Sequence, residues 1–253
     1  MVDIEVHGNV LVMKINRPEA RNAVNGDVAN GIEAGLDRLE EDDSLWVGVL
    51  TGTREFFCAG ADLKLINAGK PGEMMTAKGG FGGIVTRERT KPVIAAVEGP
   101  ALAGGLEIVL SCDMLVASSE SRFGIPEVKR SLVAAAVGVF RLPRMLPRNV
   151  AFELGLTGDP IPAQRAYELG FVNRIADPGT ALEAALELAG QISANAPVAV
   201  QKTRALMIEL ADADDETGLR RSNEAMMDLM GTEDFGEGLT AFIEKRPPVW
   251  KGR

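Results

Sequence analysis

The chain has 253 residues, 46% hydrophobic and 25% charged, enough apolar material for one large domain or for a domain with a smaller appendage. Its 36 acidic residues outnumber 27 basic ones, a net charge of −9, which argues against nucleic acid as the main partner because phosphate binding needs a basic field. Two cysteines, Cys58 and Cys112, exclude a disulfide scaffold and point to a reducing compartment, and a lone histidine, His7, excludes most histidine metal sites and Ser-His-Asp triads.

The N-terminus lacks the basic start and long apolar run of a signal peptide. No stretch approaches the ~18 apolar residues of a membrane span. A soluble, cytoplasmic protein with no membrane partner is expected. Ile4, Val6, Val10, Val12 and Ile15 then read as a hairpin turning at Gly8-Asn9. Residues 27–42 read as a helix, with Val28, Ile32, Leu36 and Leu39 on one face. Apolar strands at 46–50, 92–97 and 114–117 alternate with helical segments, the pattern of a sheet buried on both faces. A short strand at 122–125 is also expected.

Residues 64–84 hold six glycines and read as a loose segment or lid with one helical turn at 73–77. Helices are expected near 182–192, from Pro197 toward Ala211, over 216–230, and over 233–244 with Thr232 as N-cap. A boundary near residue 195 divides an α/β core, 1–195, from a helical C-terminal part, 196–253.

Two glycine-bearing segments follow apolar strands: Cys58-Ala59-Gly60-Ala61-Asp62-Leu63 and Gly99-Pro100-Ala101-Leu102-Ala103-Gly104-Gly105-Leu106-Glu107. In the second a helix opens at the glycines, so unpaired N–H groups face outward. Two converging N–H groups make an oxyanion hole. Tight strand–helix packing would call for the same small residues. Glu107 stands on an otherwise apolar helix, and Glu127 follows Phe123-Gly124-Ile125-Pro126. A pair of carboxylates in a partly dry pocket suits acid–base work, although each could equally be an ion-pair partner. Dinucleotide and phosphate-loop patterns are missing, and no metal site is expected.

In order and spacing, these segments resemble the enoyl-CoA hydratase/isomerase (crotonase) superfamily over almost the whole chain. The resemblance begins at Asn16–Ala23, runs through residues 57–63, 103–107, 123–127, 156–158 and 166–172, and ends at residues 242–247. It implies an α/β spiral of ββα units with a helical region that builds trimers or hexamers. It also implies an acyl-CoA substrate, hydration of a 2-enoyl-CoA thioester, and no metal or redox cofactor. The alternatives are an isomerase, dehydratase or hydrolase of an acyl-CoA, or a non-catalytic acyl-CoA binder.

By resemblance, Glu107 and Glu127 are the acid–base pair, and the N–H groups of Ala59 and Gly104 form the oxyanion hole. Ala20, Arg21, Gly60, Ala61, Asp62 and Leu63 contact the CoA thioester, and Phe242 and Lys245 reach a neighbouring subunit's ligand. One run departs from the family: where hydratases carry Pro-Gly-x-Gly-Gly, this chain has Ala134-Ala135-Ala136-Val137-Gly138. The change is expected to remodel the acyl pocket, with Val137 adding a stiff side chain there, and to leave the thioester site intact.

Overall fold

A computed structural model describes residues 1–253. β1 (Val2–His7) and β2 (Val10–Ile15) pair antiparallel, with His7 opposite Val10 and Gly8 at φ +59° in the turn. That φ suits a residue without Cβ. α1 (Gly26–Glu41) starts at Asn25, whose side chain accepts the Val28 N–H at 3.0 Å. It buries Val28, Ile32, Leu36 and Leu39, the face set by their spacing.

β3 (Val47–Thr51) follows, then α2 (Leu63–Asn67) and a small hairpin of β4 (Met75–Thr76) and β5 (Gly80–Phe81). The segment expected to be loose is therefore structured. It holds a short helix at 63–67 and a 3₁₀ turn at Pro71–Met74, where one helical turn was expected at 73–77.

β6 (Val93–Val97) leads through Gly99 into β7 (Pro100–Leu102), α3 (Gly104–Val109), β8 (Met114–Ser118) and β9 (Arg122–Gly124). α4 (Gly138–Met145), α5 (Arg148–Thr157), β10 (Ile161–Pro162), α6 (Ala163–Glu168), β11 (Arg174–Ala176) and α7 (Ala181–Ser193) complete this part. The main sheet has the order β1-β2-β3-β6-β8-β11, parallel from β2 onward. Every residue of β3 and β6 is buried, as expected of strands covered on both faces. On one face α7 lays Ala181, Ala185 and Ala189 against Val47, Val49, Ile94 and Val116. The larger core fills the other face, between the sheet, α1, α3 and the second sheet, β10-β9-β7.

The expected boundary at 195 falls in the turn between α7 and α8 (Pro197–Glu209). α9 (Asp215–Met230) and α10 (Glu233–Glu244) follow, and Thr232 caps α10 by accepting the Phe235 N–H at 3.1 Å. This region is tied back by Arg204, which donates to Asp113 at 2.9 Å, and by Trp250, which donates to the Ala194 carbonyl at 2.8 Å. Met207, Met227, Phe242 and Ile243 are nonetheless largely exposed on its surface. No helix is long and apolar enough to cross a membrane.

Candidate active site

The second sheet brings three segments together. Residues 58–62 run parallel to β7, with the Leu102 N–H on the Cys58 carbonyl at 3.0 Å. On the other side they pair with Val24, whose N–H donates to Gly60 and whose carbonyl accepts the Asp62 N–H. In such a parallel bridge the intervening residue bonds to neither neighbour. The Ala61 N–H is that residue and donates to no group of the protein.

The Ala59 N–H is not free, because it donates to the Arg21 carbonyl at 3.1 Å. The expected pair of Ala59 with Gly104 is therefore corrected to Ala61 with Gly104. Gly104 opens α3 and its N–H also lacks a protein partner. Its neighbour Ala103 holds φ 53° and ψ −130°, a conformation that disfavours a Cβ and costs about 1–3 kcal/mol. Gly60, at φ +98°, lets the two segments meet: a Cβ there would stand 2.9 Å from the Gly104 nitrogen.

These donors line a cavity of about 730 Å³. Ala20, Arg21, Ala59, Ala61, Asp62, Leu63, Gly104, Glu107 and Glu127 all border it, so most of the expected site residues converge. Gly60 stands behind the wall. Phe242 and Lys245 lie on the exposed end of α10 and do not border this chain's cavity.

The mouth is a braced loop. Buried Asn22 donates to the Phe56 carbonyl at 2.7 Å and accepts the Arg17 N–H at 2.8 Å. Arg21 takes the left-handed conformation and stacks its guanidinium over Phe56, 5.4 Å from the ring centre. Asp62 is already committed: it accepts Arg17 Nη1 at 2.8 Å and caps α2 through the Lys64 N–H at 3.0 Å. Burial raises its pKa, but these bonds outweigh burial and hold the carboxyl below its ordinary range. Asp62 therefore shapes the wall and has little capacity left for a ligand.

The two glutamates sit in contrasting surroundings. Glu107, on α3, is buried, and its Oε1 accepts the N–H groups of Val137 and Gly138, both at 2.8 Å. Two donors at the opening of α4 favour the carboxylate. Glu127 has no such support. Its Oε2 is sealed from solvent without a hydrogen-bond partner. Burial, helped by the charge of Glu107, pushes its pKa up to about 7.

The run at 134–138 also behaves otherwise than expected. Val137 packs its side chain into the core and borders no pocket wall, whereas Ala135 and Ala136 do line the cavity. The run also touches the chemistry directly, through the two amides on Glu107. The amides of Ala61, Val137 and Gly138 escape a sequence reading because main-chain donors carry no residue signature. The cysteines are buried, free and pushed up to about 12 by burial, so they serve as small core residues.

The enoyl-CoA hydratase/isomerase family model matches residues 5–253. A solved enoyl-CoA hydratase from Mycobacterium tuberculosis H37Rv is 45% identical, with a TM-score of 0.95 over 100% of this chain and 99% of that one. The short-chain-enoyl-CoA hydratase of Clostridium acetobutylicum is 38% identical over 97% of this chain and 95% of its own length. The carnitinyl-CoA dehydratase of Proteus mirabilis is 35% identical over 99% of this chain and 98% of its own. The α/β fold agrees with these relatives, and the chain belongs to the enoyl-CoA hydratase/isomerase family of the crotonase superfamily.

Proposed function

We propose that the chain is an enoyl-CoA hydratase, a hydro-lyase that adds water across the 2,3 double bond of a 2-enoyl-CoA thioester. The observation that carries this reading is the pairing, in one cavity, of two free N–H groups with two glutamates in opposite electrostatic states. The thioester oxygen accepts from the N–H groups of Ala61 and Gly104. Glu107, kept as a carboxylate by two amides, takes a proton from water as the water oxygen bonds to C3. The π electrons move onto the thioester oxygen as an enolate, where a single lost donor costs ~10²–10³ in rate. Glu127 then gives its proton to C2 as the enolate collapses. Each proton transfer contributes about 10²–10⁴.

Water supplies both the hydroxyl and the net proton, and no electron is gained or lost, so the reaction calls for no resident cofactor. Run backward, the same groups dehydrate a 3-hydroxyacyl-CoA. Arg21 and Lys64 at the cavity mouth supply positive charge suited to the CoA phosphates. The exposed apolar face of α8 to α10 suits a homotrimer or a pair of trimers, which would bring Phe242 and Lys245 to a neighbour's CoA. The setting proposed is the cytoplasm, where the two free thiols stay reduced.

The test is the loss of enoyl-thioester absorbance when the purified chain meets crotonyl-CoA and longer homologues, with the product identified by mass. Gain of one water, giving a 3-hydroxyacyl-CoA, supports the proposal. Tight CoA binding without turnover of any enoyl thioester overturns it in favour of a binder.

A further inference from the structure

A second space, of about 250 Å³, lies beyond the wall that carries the acid–base pair. It shares Glu127 and Val133 with the main cavity. The run at 134–136 parts the two: Ala135 and Ala136 face the main cavity, and Ala134 faces the second space. The partition is thus built of alanines. Apart from Glu127, no lining side chain of the chamber carries a hydrogen-bonding group; Ile125, Leu142, Ala151 and Phe152 form much of it. At its rim Val139, Phe152 and Leu156 are exposed apolar side chains. Such an open apolar surface needs an occupant.

We infer that this chamber takes the distal, purely hydrocarbon part of the acyl group, so that the enzyme prefers a medium-length apolar 2-enoyl-CoA over a four-carbon one. The inference rests on the hydratase reading. Glu127 delivers its proton at C2 and borders the chamber, so carbons beyond C3 start beside the entrance. Taking about 30 Å³ per small group, the share of one water molecule, the chamber holds on the order of eight methylene-sized groups. Each buried methylene multiplies affinity by about four. A hydroxyl or carboxylate in the tail would lose its water here and find no partner.

Gly155, on α5, provides a clean probe. A Cβ there meets only Ile125 Cδ1, at 3.5 Å, so a larger side chain can grow into the space. The experiment compares kcat/KM for crotonyl-CoA and 2-octenoyl-CoA in wild type, Gly155→Ala and Gly155→Leu. Alongside, calorimetry gives Kd for butyryl-CoA, octanoyl-CoA and an eight-carbon acyl-CoA ending in a carboxylate.

Wild type is expected to favour the eight-carbon substrate tenfold or more, and to bind octanoyl-CoA at least tenfold more tightly than the other two ligands. Gly155→Leu should lower kcat/KM for octenoyl-CoA at least tenfold more than for crotonyl-CoA, with Gly155→Ala in between. Equal Kd values in wild type overturn the inference whether or not any variant folds. So does a Gly155→Leu variant that loses assembly by light scattering with its chain-length ratio unchanged, because the chamber then belongs to a second copy. If no enoyl thioester turns over, the hydratase reading falls. The Kd ratio alone then decides: a tenfold preference for octanoyl-CoA supports the chamber, and equality refutes it.

Discussion

Glu107 and Gly138 are joined by a 2.8 Å hydrogen bond, the Gly138 N–H donating to Glu107 Oε1, and the Val137 N–H meets the same oxygen. The carboxylate assigned as base is thus seated on the opening turn of another helix. A Cβ on Gly138 would stand 2.6 Å from the Ala134 Cβ and 3.2 Å from Glu107 Oε1. Gly138→Ala must therefore shift either the helix or the carboxylate. Steady-state kinetics should show kcat lowered about tenfold or more, with KM for the CoA thioester nearly unchanged. A raised KM with intact kcat would contradict this seating.

Glu127 sets the pH dependence. Hydration needs its protonated form, so kcat/KM for an enoyl-CoA should fall as pH rises through about 7. Dehydration of the 3-hydroxyacyl-CoA needs its carboxylate and should rise over the same interval. Initial rates in both directions from pH 5 to 9 check this; two limbs of the same sign would refute the assignment.

The same group links pH to stability. Its folded pKa of about 7 lies above the ordinary 4.5, so folding is favoured by its proton. That contribution is fully present below the unfolded value and is lost as pH rises through the folded value. Glu127→Gln carries no such penalty and should gain stability relative to wild type between pH 4 and pH 8. Urea denaturation at both values measures the difference, and a variant that loses ground on going to pH 8 would contradict the burial argument.

Arg21 offers a test of the cavity mouth. Its side chain lies over Phe56 and borders the cavity, away from both glutamates. Arg21→Ala should raise KM severalfold, leave kcat within about twofold, and flatten the salt dependence of KM. A loss confined to kcat would place Arg21 in the chemistry instead.

Much of this site is legible in the sequence because side-chain identity is its signal. Glu107 stands out as a charge on an apolar helix, and Glu127 as one beside a buried strand. The paired glycines at 104 and 105 mark a helix opening onto the cavity. The strands are legible too, since β3 and β6 are apolar throughout and have water on neither face. What fails is register. Ala59 and Ala61 are the same residue two positions apart, and only the pairing with Val24 and Arg21 decides which N–H is free. The Val137 side chain was placed by its type, and the structure turns it into the core. The second chamber joins residues from 125 to 156 across a turn and two helices, a relationship without local periodicity.

The central claim is that Glu107 and Glu127 together hydrate an enoyl thioester. Its most direct test is crotonyl-CoA turnover by wild type, Glu107→Gln and Glu127→Gln, with CoA-ligand affinity measured on the same samples. Turnover by wild type, lost ~10²-fold or more in each variant while affinity stays within a few-fold, is the predicted result. Near-full turnover in both variants would contradict the account.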